Sequence, residues 1–388
     1  MANAFDYLDW RGDLSFRQAG CNEVDNVILS DISYIDFGEV VPAEPSRGIS
    51  LAEAAPLYFA RHPRAKNGLG VLLPDETQDL LQLAAQTTRF GQIKLWGYTN
   101  VIDKEKEMQF SAICYDLDNS TTYVAFRGTD NSIVGWKENF NMSYQFPVPA
   151  QEAAADYLKR IASLTQNLLI VGGHSKGGNL AVYAAAYAPE IVQNRIDAVW
   201  SNDGPGFRQV VFQTEGYQRI RDRVTTILPV ASVVGILLHL DSKTITVDSS
   251  AHGPMQHSGL TWQVMGARFV ESDASSRTSR QTDEIADALM EGMRPEDRKN
   301  FINTLYRAIN DMGVDTLSDI AYDESKWQTL QALYHSIGEF EPATKEHFLR
   351  AVLTSFQVDD RIVNRLFSKM NRPRLPFVGR RSGQDEDA

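Results

Sequence analysis

The sequence predicts an α/β fold with a mostly parallel central sheet, and three observations carry that expectation. Between residues 93 and 228, short stretches of period-two hydrophobicity alternate with amphipathic helical stretches. An apolar run at 168–171 stops at a Gly-rich turn and passes at once into a small-residue helical stretch. From residue 278 onward the pattern is helical alone, so an all-helical C-terminal region is expected beside the sheet.

Taken in order, residues 1–40 set aromatics (Phe5, Tyr7, Trp10, Phe16, Tyr34, Phe37) among acidic residues, apolar enough to pack on a core. Residues 27–34 read as a short helix or strand lying on the main body. Pro42, Pro45 and Gly48 mark a loop, and Ser50-Leu51-Ala52-Glu53 opens a helix with a capping pattern. A second helix is expected over 77–86. Strands follow at 93–101, 110–117 and 121–126, the last two joined by the turn Asp118-Asn119-Ser120 and so antiparallel. The amphipathic stretch 151–165 feeds the apolar run at 168, which makes a right-handed βαβ crossover. Further strands are expected at 196–201 and 224–228, and a final pair at 244–247 and 261–269, with a His-bearing loop over 249–259 between them. Helices are expected over 282–292, 295–312, 316–321, 323–337 and 342–370, two of them opened by Pro295 and Pro342. The domain reading is therefore an N-terminal segment 1–75 packed on the core, a sheet domain 76–275, a helical domain 276–370 and a disordered tail 371–388.

Bulk properties bound the function. The 388 residues are 43% hydrophobic and 23% charged, with a net charge of −12. That balance argues against a general nucleic-acid binder, which needs clustered Lys and Arg for phosphate. The two cysteines, Cys21 and Cys114, form neither a metal spacing nor a disulfide framework, which suits a reducing compartment. Asp6, Asp9, Arg11 and Asp13 interrupt any signal-peptide core, and the longest apolar run, 227–240, is too short to span a bilayer. The expectation is a cytoplasmic protein with no transmembrane segment. No phosphate loop, dinucleotide-type Gly pattern or metal-ligand cluster is evident, so neither cofactor nor metal is expected.

The chemistry lies in Gly173-His174-Ser175-Lys176-Gly177, a G-x-S-x-G between a strand and a helix. In a nucleophile elbow the chain turns so sharply that only Gly fits beside the Ser, whose hydroxyl is lifted above the sheet edge. Ser175 is the candidate nucleophile, and the N–H of Lys176 lies where an oxyanion would form. A second donor is available in Phe126-Arg127-Gly128-Thr129-Asp130 at the end of a central strand, where Thr129 offers its N–H and its hydroxyl. The base should follow Ser175 in the chain, and the candidates are His239, His252, His257, His335 and His347. His252 and His257 share the loop after a late strand, at the sheet edge where such a fold presents its ligands.

Phe126-Arg127-Gly128-Thr129, then Trp136-Lys137-Glu138-Asn139, then Gly173-His174-Ser175-Lys176-Gly177-Gly178 resembles the class 3 lipases, which carry FRGT or FRGS, W-x-x-N and GHSxGG in that order. The resemblance covers residues 90–270 and implies an α/β-hydrolase fold, Ser175 as nucleophile and Thr129 in the oxyanion hole. Residues 5–10, 22–26 and 202–207 are not class 3 features; they are similar to an uncharacterised bacterial family of lipase-like proteins. Gln256-His257 followed by Trp262 resembles the same family and favours His257 over His252 as base. The acid is the weak link. Class 3 lipases place an Asp just after the strand at 224–228, where this chain has Ser232. Either Ser232 orients the imidazole as a neutral partner, or a carboxylate comes from Asp203, Asp241 or Asp248. The expected activity is cleavage of a small-molecule or lipid-like acyl ester by a lipase-, esterase- or lysophospholipase-like serine hydrolase. The alternatives are a thioesterase or amidase of the same mechanism, or a non-catalytic binding protein on a degenerate scaffold.

Overall fold

Why the two faces of the sheet are covered by different parts of the chain follows from its strand order. The computed structural model describes residues 1–62, 76–130, 132–232, 234 and 238–272, with six positions between 296 and 307. Apart from those six positions, the expected helical domain and tail lie outside the described residues.

The first part runs α1 (Ala4–Arg11), α2 (Glu23–Ile32), β1 (Ile49–Ser50), α3 (Leu51–Arg61), α4 (Glu76–Gln86) and α5 (Thr88–Gly91). Strands β2 (Lys94–Asp103), β3 (Met108–Asp116) and β4 (Thr121–Phe126) follow, then helices α6 (Ile133–Asn141) and α7 (Pro149–Leu164). The remainder comprises β5 (Leu168–His174), α8 (Lys176–Tyr187), α9 (Glu190–Gln193), β6 (Ile196–Asn202), α10 (Gln209–Phe212), α11 (Glu215–Ile220), β7 (Val224–Pro229) and β8 (Lys243–Val247). A two-stranded hairpin, β9 (Val264–Met265) with β10 (Arg268–Phe269), closes the described main body.

The eight-stranded sheet is ordered β1 to β8 as in the sequence. Pairings up to β3–β4 are antiparallel, and those from β4–β5 to β7–β8 are parallel. When parallel strands are added in one direction, right-handed crossovers all fall on the same face. Accordingly α7, α8 and α11 bury Leu158, Ile161, Leu180, Val182 and Ile220 with Val124, Phe126, Val171 and Val199 on one face. Alternate residues of β4 and β5, Tyr123, Ala125 and Ile170, point to the other face with Ile227 of β7. Among the described residues no crossover helix reaches that side, and the N-terminal helices cover it with Leu8, Val27, Ile28, Leu51, Leu80 and Phe90.

Local chemistry explains why those N-terminal helices form. Asn3 caps α1 and Asn22 caps α2, each in a reciprocal box with the Asp three residues on (Asp6 and Asp25). Ser50 and Glu53 do the same for α3. The stretch expected as a helix or strand at 27–34 is thus the second half of a helix that starts at Glu23. Arg89 then ties the segment together from a fully buried position. Its guanidinium meets Asp25 at 2.5 and 2.7 Å and donates to the carbonyls of Leu14, Ala19 and Gly20, each at 3.0 Å. With every donor direction answered, the buried charge is compensated.

One expectation is corrected. Residues 244–247 and 261–269 do not form a strand pair: β8 pairs with β7 as a parallel edge strand, and the later segment meets β8 and the residues just after it through isolated antiparallel bridges, Val247 to Glu271 and Ser249 to Trp262, and scattered backbone hydrogen bonds. The later segment divides into a 3-10 turn (Gly259–Thr261), where a Cβ on Gly259 would lie 2.6 Å from Val27, and the short hairpin turned by Gly266 at φ 65°. Among the described residues, no helix is long and apolar enough to cross a membrane.

Candidate active site

The site grows from the junction of β5 and α8. Ser175 links them with φ 58° and ψ −132°, a left-handed backbone that is costly for a residue with a Cβ. Its N–H is fixed by the carbonyl of Asn202 at 2.9 Å. The glycines around it are demanded by contact rather than by flexibility. A Cβ on Gly173 would lie 2.4 Å from the backbone of Gly177, and one on Gly177 would lie 2.0 Å from the carbonyl oxygen of Phe126. The helix therefore enters directly against β4 and β5, and Ser175 is 9% exposed at the carboxyl edge of the sheet. Among the described residues, its hydroxyl takes no hydrogen bond.

Asp203 stands on the adjoining turn after β6. It too has a positive φ, 47°, which Asp tolerates better than most residues. Its N–H is held by the carbonyl of Ile227 at 2.8 Å. Asn179, on the first turns of α8, clamps the rest of the turn by donating to the carbonyls of Pro205 and Gly206 at 3.1 and 3.0 Å. The Asp203 carboxylate is fully buried, with His257 Nδ1 at 2.5 Å from Oδ2 and the Ser232 hydroxyl donating to Oδ1. Ser232 thus sits on the carboxylate, and the contact with the imidazole is made by Asp203. Asp241 faces Arg221 instead, at 2.9 Å.

His257 ends a short 3-10 turn, Gly253–His257. The loop is tied down beside it: Gln256 accepts from the N–H of Ala231 at 2.9 Å and donates to the carbonyl of Ala251 at 3.1 Å. The buried indole of Trp262 donates to the carbonyl of Gln256 at 2.7 Å. That pair is the physical content of the Gln256-His257…Trp262 pattern. The His257 ring lies 4.5 Å, centroid to centroid, from that of His174, the residue before Ser175. His252 and His239 are exposed, while His335 and His347 fall outside the described residues.

The turn after β4 is equally fixed. Arg127 is buried and donates to Asn100 at 2.9 Å and to Asp130 at 3.0 Å. Asn139 of α6 donates to the hydroxyl oxygen of Thr129. The FRGT and W-x-x-N motifs are thereby joined, and the Thr129 O–H is left to donate elsewhere. Lys176 has two roles for its two ends. Its N–H opens α8 without an intrahelical partner, while its ammonium is buried and donates to Gln109 O and Oε1, both at 2.6 Å, and to Glu138 at 2.9 Å. Glu138 also accepts the N–H groups of Gln109 and Ala150, at 3.1 and 2.8 Å. Sequence reasoning gave no role to Asn179, and it named Glu138 and Gln256 only as members of motifs, without the contacts they make. No group of three or more His, Cys, Asp and Glu able to hold a metal occurs among the described residues.

Fold and site define an α/β protein of lipase-like type, with a mostly parallel eight-stranded sheet flanked by helices. Residues 84–307 match the Mbeg1-like family, a lipase-like family, and the chain belongs to it. No curated protein matches the chain significantly in sequence. Among solved structures it is similar to a crystal structure of M37 lipase, with 14% identity over 69% of this chain and 79% of that one, at a TM-score of 0.33.

Proposed function

We propose that the chain is a serine carboxylic ester hydrolase, lipase- or esterase-like, in which Ser175 is the nucleophile, His257 the base and Asp203 the acid that orients it. One observation carries the reading: a serine held in left-handed geometry at a strand–helix elbow, next in sequence to His174, whose ring lies 4.5 Å from that of His257, the histidine whose Nδ1 meets a buried carboxylate at 2.5 Å. An Asp that accepts from Nδ1–H leaves Nε2 as the proton acceptor and stabilises the imidazolium that forms. Ser175 Oγ bonds to the ester carbonyl carbon as its proton passes to Nε2. The N–H groups of Lys176 and Thr129 receive the developing oxyanion. The bond to the leaving oxygen then breaks as Nε2 returns the proton, and water repeats the sequence to release the acid and restore the serine. Ser232, at the position of the class 3 acid, supports Asp203 by donating to its second oxygen. A small-molecule or lipid-like acyl ester is the substrate class, and the free cysteines Cys21 and Cys114 suit a reducing, cytoplasmic compartment.

Labelling with a fluorophosphonate tests the reading, with Ser175→Ala as control. Stoichiometric labelling that disappears in the variant is expected; a wild-type protein that resists the probe, or a variant that still reacts, refutes it. Nitrophenyl esters of graded acyl length, set beside the matching thioesters and anilides, then separate an esterase from a thioesterase or amidase.

A further inference from the structure

We propose that Tyr34 and His174 are positioning residues that couple the oxyanion turn to the loop carrying His257; this rests on the hydrolase reading above. Tyr34 comes from the N-terminal segment, just beyond α2, and is buried, as is His174. The Tyr34 hydroxyl lies 3.1 Å from His174 Nδ1, across 140 residues of sequence, and His174 Nε2 lies 2.7 Å from the carbonyl oxygen of His257, across 83.

The acceptor decides the proton positions. A carbonyl oxygen can only accept, so His174 must carry its proton on Nε2, and in a neutral ring Nδ1 must then accept. The Tyr34 hydroxyl has one proton and two acceptors in reach, Nδ1 at 3.1 Å and the carbonyl of His174 at 3.4 Å, and the nearer takes it. Burial, helped by the adjacent His257, holds the His174 pKa down to about 3, in keeping with a neutral ring. Tyr34 also lies against the oxyanion turn: a Cβ on Gly128 would fall 2.0 Å from its hydroxyl oxygen. The glycine of the FRGT motif is thus set by a side chain that the motif does not contain. The carbonyl of the base is thereby fastened to the residue before the nucleophile. This hydrogen bond, for which Tyr34 sets the His174 tautomer, joins the ties made by Asp203, Gln256 and Trp262 in setting the His257 loop against the elbow. His174 touches neither reacting atom in this scheme.

The test combines a spectroscopic readout with kinetics on the full chain. Imidazole ¹⁵N shifts of His-labelled protein at neutral pH should show His174 protonated on Nε2; an Nδ1-protonated or doubly protonated ring overturns the proposal whatever the activity. In fluorophosphonate capture and p-nitrophenyl butyrate hydrolysis, His174→Phe should lose about 100-fold in kcat with KM unchanged, the scale of a misplaced catalytic group. His174→Gln keeps a donor near the Nε2 position and should recover most of that loss. Tyr34→Phe, which removes only the hydroxyl, should lose about tenfold in kcat with an unchanged melting temperature, and remains informative if the Phe variant at 174 fails to fold. An unimpaired Tyr34→Phe, or Gln and Phe variants at 174 that are equally impaired, overturns the coupling. A wild-type protein that resists the probe overturns the hydrolase reading itself, and the kinetic part of the proposal with it.

Discussion

Removing the ammonium of Lys176 should cost the fold far more than an ordinary lysine substitution. Lys176 and Glu138 are both within 1% of complete burial, and Nζ makes three hydrogen bonds, one of them to the Glu138 carboxylate. Lys176→Met leaves Glu138 as an uncompensated buried charge, still held by two backbone N–H groups, and strips the Gln109 carbonyl of this donor. Breaking one side of a buried, hydrogen-bonded pair costs about 3–5 kcal/mol. Glu138→Gln should cost a similar amount, because Lys176 keeps its charge and loses its counter-ion. At roughly 2–4 °C per kcal/mol for a domain of this size, either variant should melt about 6–20 °C below wild type. The double variant should be much less harmful than the sum. The side-chain amide that Glu138→Gln introduces can donate to the Gln109 oxygens that Lys176 served, and no net charge is left inside; a coupling near 3 kcal/mol, to order of magnitude about the cost of one single variant, is expected from the cycle. Thermal and urea melts of the four proteins decide it. Single variants that cost less than about 1 kcal/mol, or an additive double, would refute the claim that a charged lysine is held behind the elbow.

Three further outcomes are expected. Asp203→Asn leaves the turn in place but can hold the wrong His257 tautomer, and kcat should fall about 10³–10⁴-fold, with fluorophosphonate capture slowed in parallel; an unimpaired variant would remove Asp203 from the reaction. Gly177→Ala puts a methyl 2.0 Å from the Phe126 carbonyl oxygen, so expression of soluble protein or the melting temperature should fall steeply, and a wild-type melt would contradict the packing described. Asp31, buried in α2, has its pKa raised by desolvation from 3.8 to about 8. The folded state keeps the proton that the unfolded chain releases, so stability falls as pH rises between those values, by about 1.4 kcal/mol per pH unit. Asp31→Asn should remove that slope and melt higher than wild type at pH 8, with little difference at pH 4; parallel pH profiles would rule the effect out.

What can be read from the chain, and what cannot, divides by the distance over which each feature is determined. Period-two hydrophobicity places β3, β4, β6 and β7 within a residue or two, because each buried face is written in consecutive residues. The elbow is legible for the same reason: glycine, serine and helix formers sit within ten positions. At 261–269 the hydrophobic content suggests a strand, but glycines at 259 and 266 leave a turn and a hairpin instead. The polar interior is not legible. Asp25, Arg89, Lys176 and Glu138 look like surface residues by type, and their partners lie 38 to 64 positions away. Asp203 can be proposed only as one of several carboxylates, because its meeting with His257 depends on a turn that Asn179 fixes from another element. Capping boxes at Asn3 and Asn22 are readable in principle, as Asn followed three residues later by Asp.

The strictly sequential strand order has a practical consequence for anyone shortening the chain. A protein begun at residue 84, where the family match starts, would lack α1 to α3 and most of α4, yet would still carry every crossover helix on the opposite wall. Its sheet would present Tyr115, Tyr123, Ile170 and Ile227 to water as one oily plane, and Tyr34 would be lost with the discarded piece. Such a fragment should stick to itself and to chaperones, and the minimal unit that works alone has to include the helices ahead of the FRGT and GHSKGG motifs.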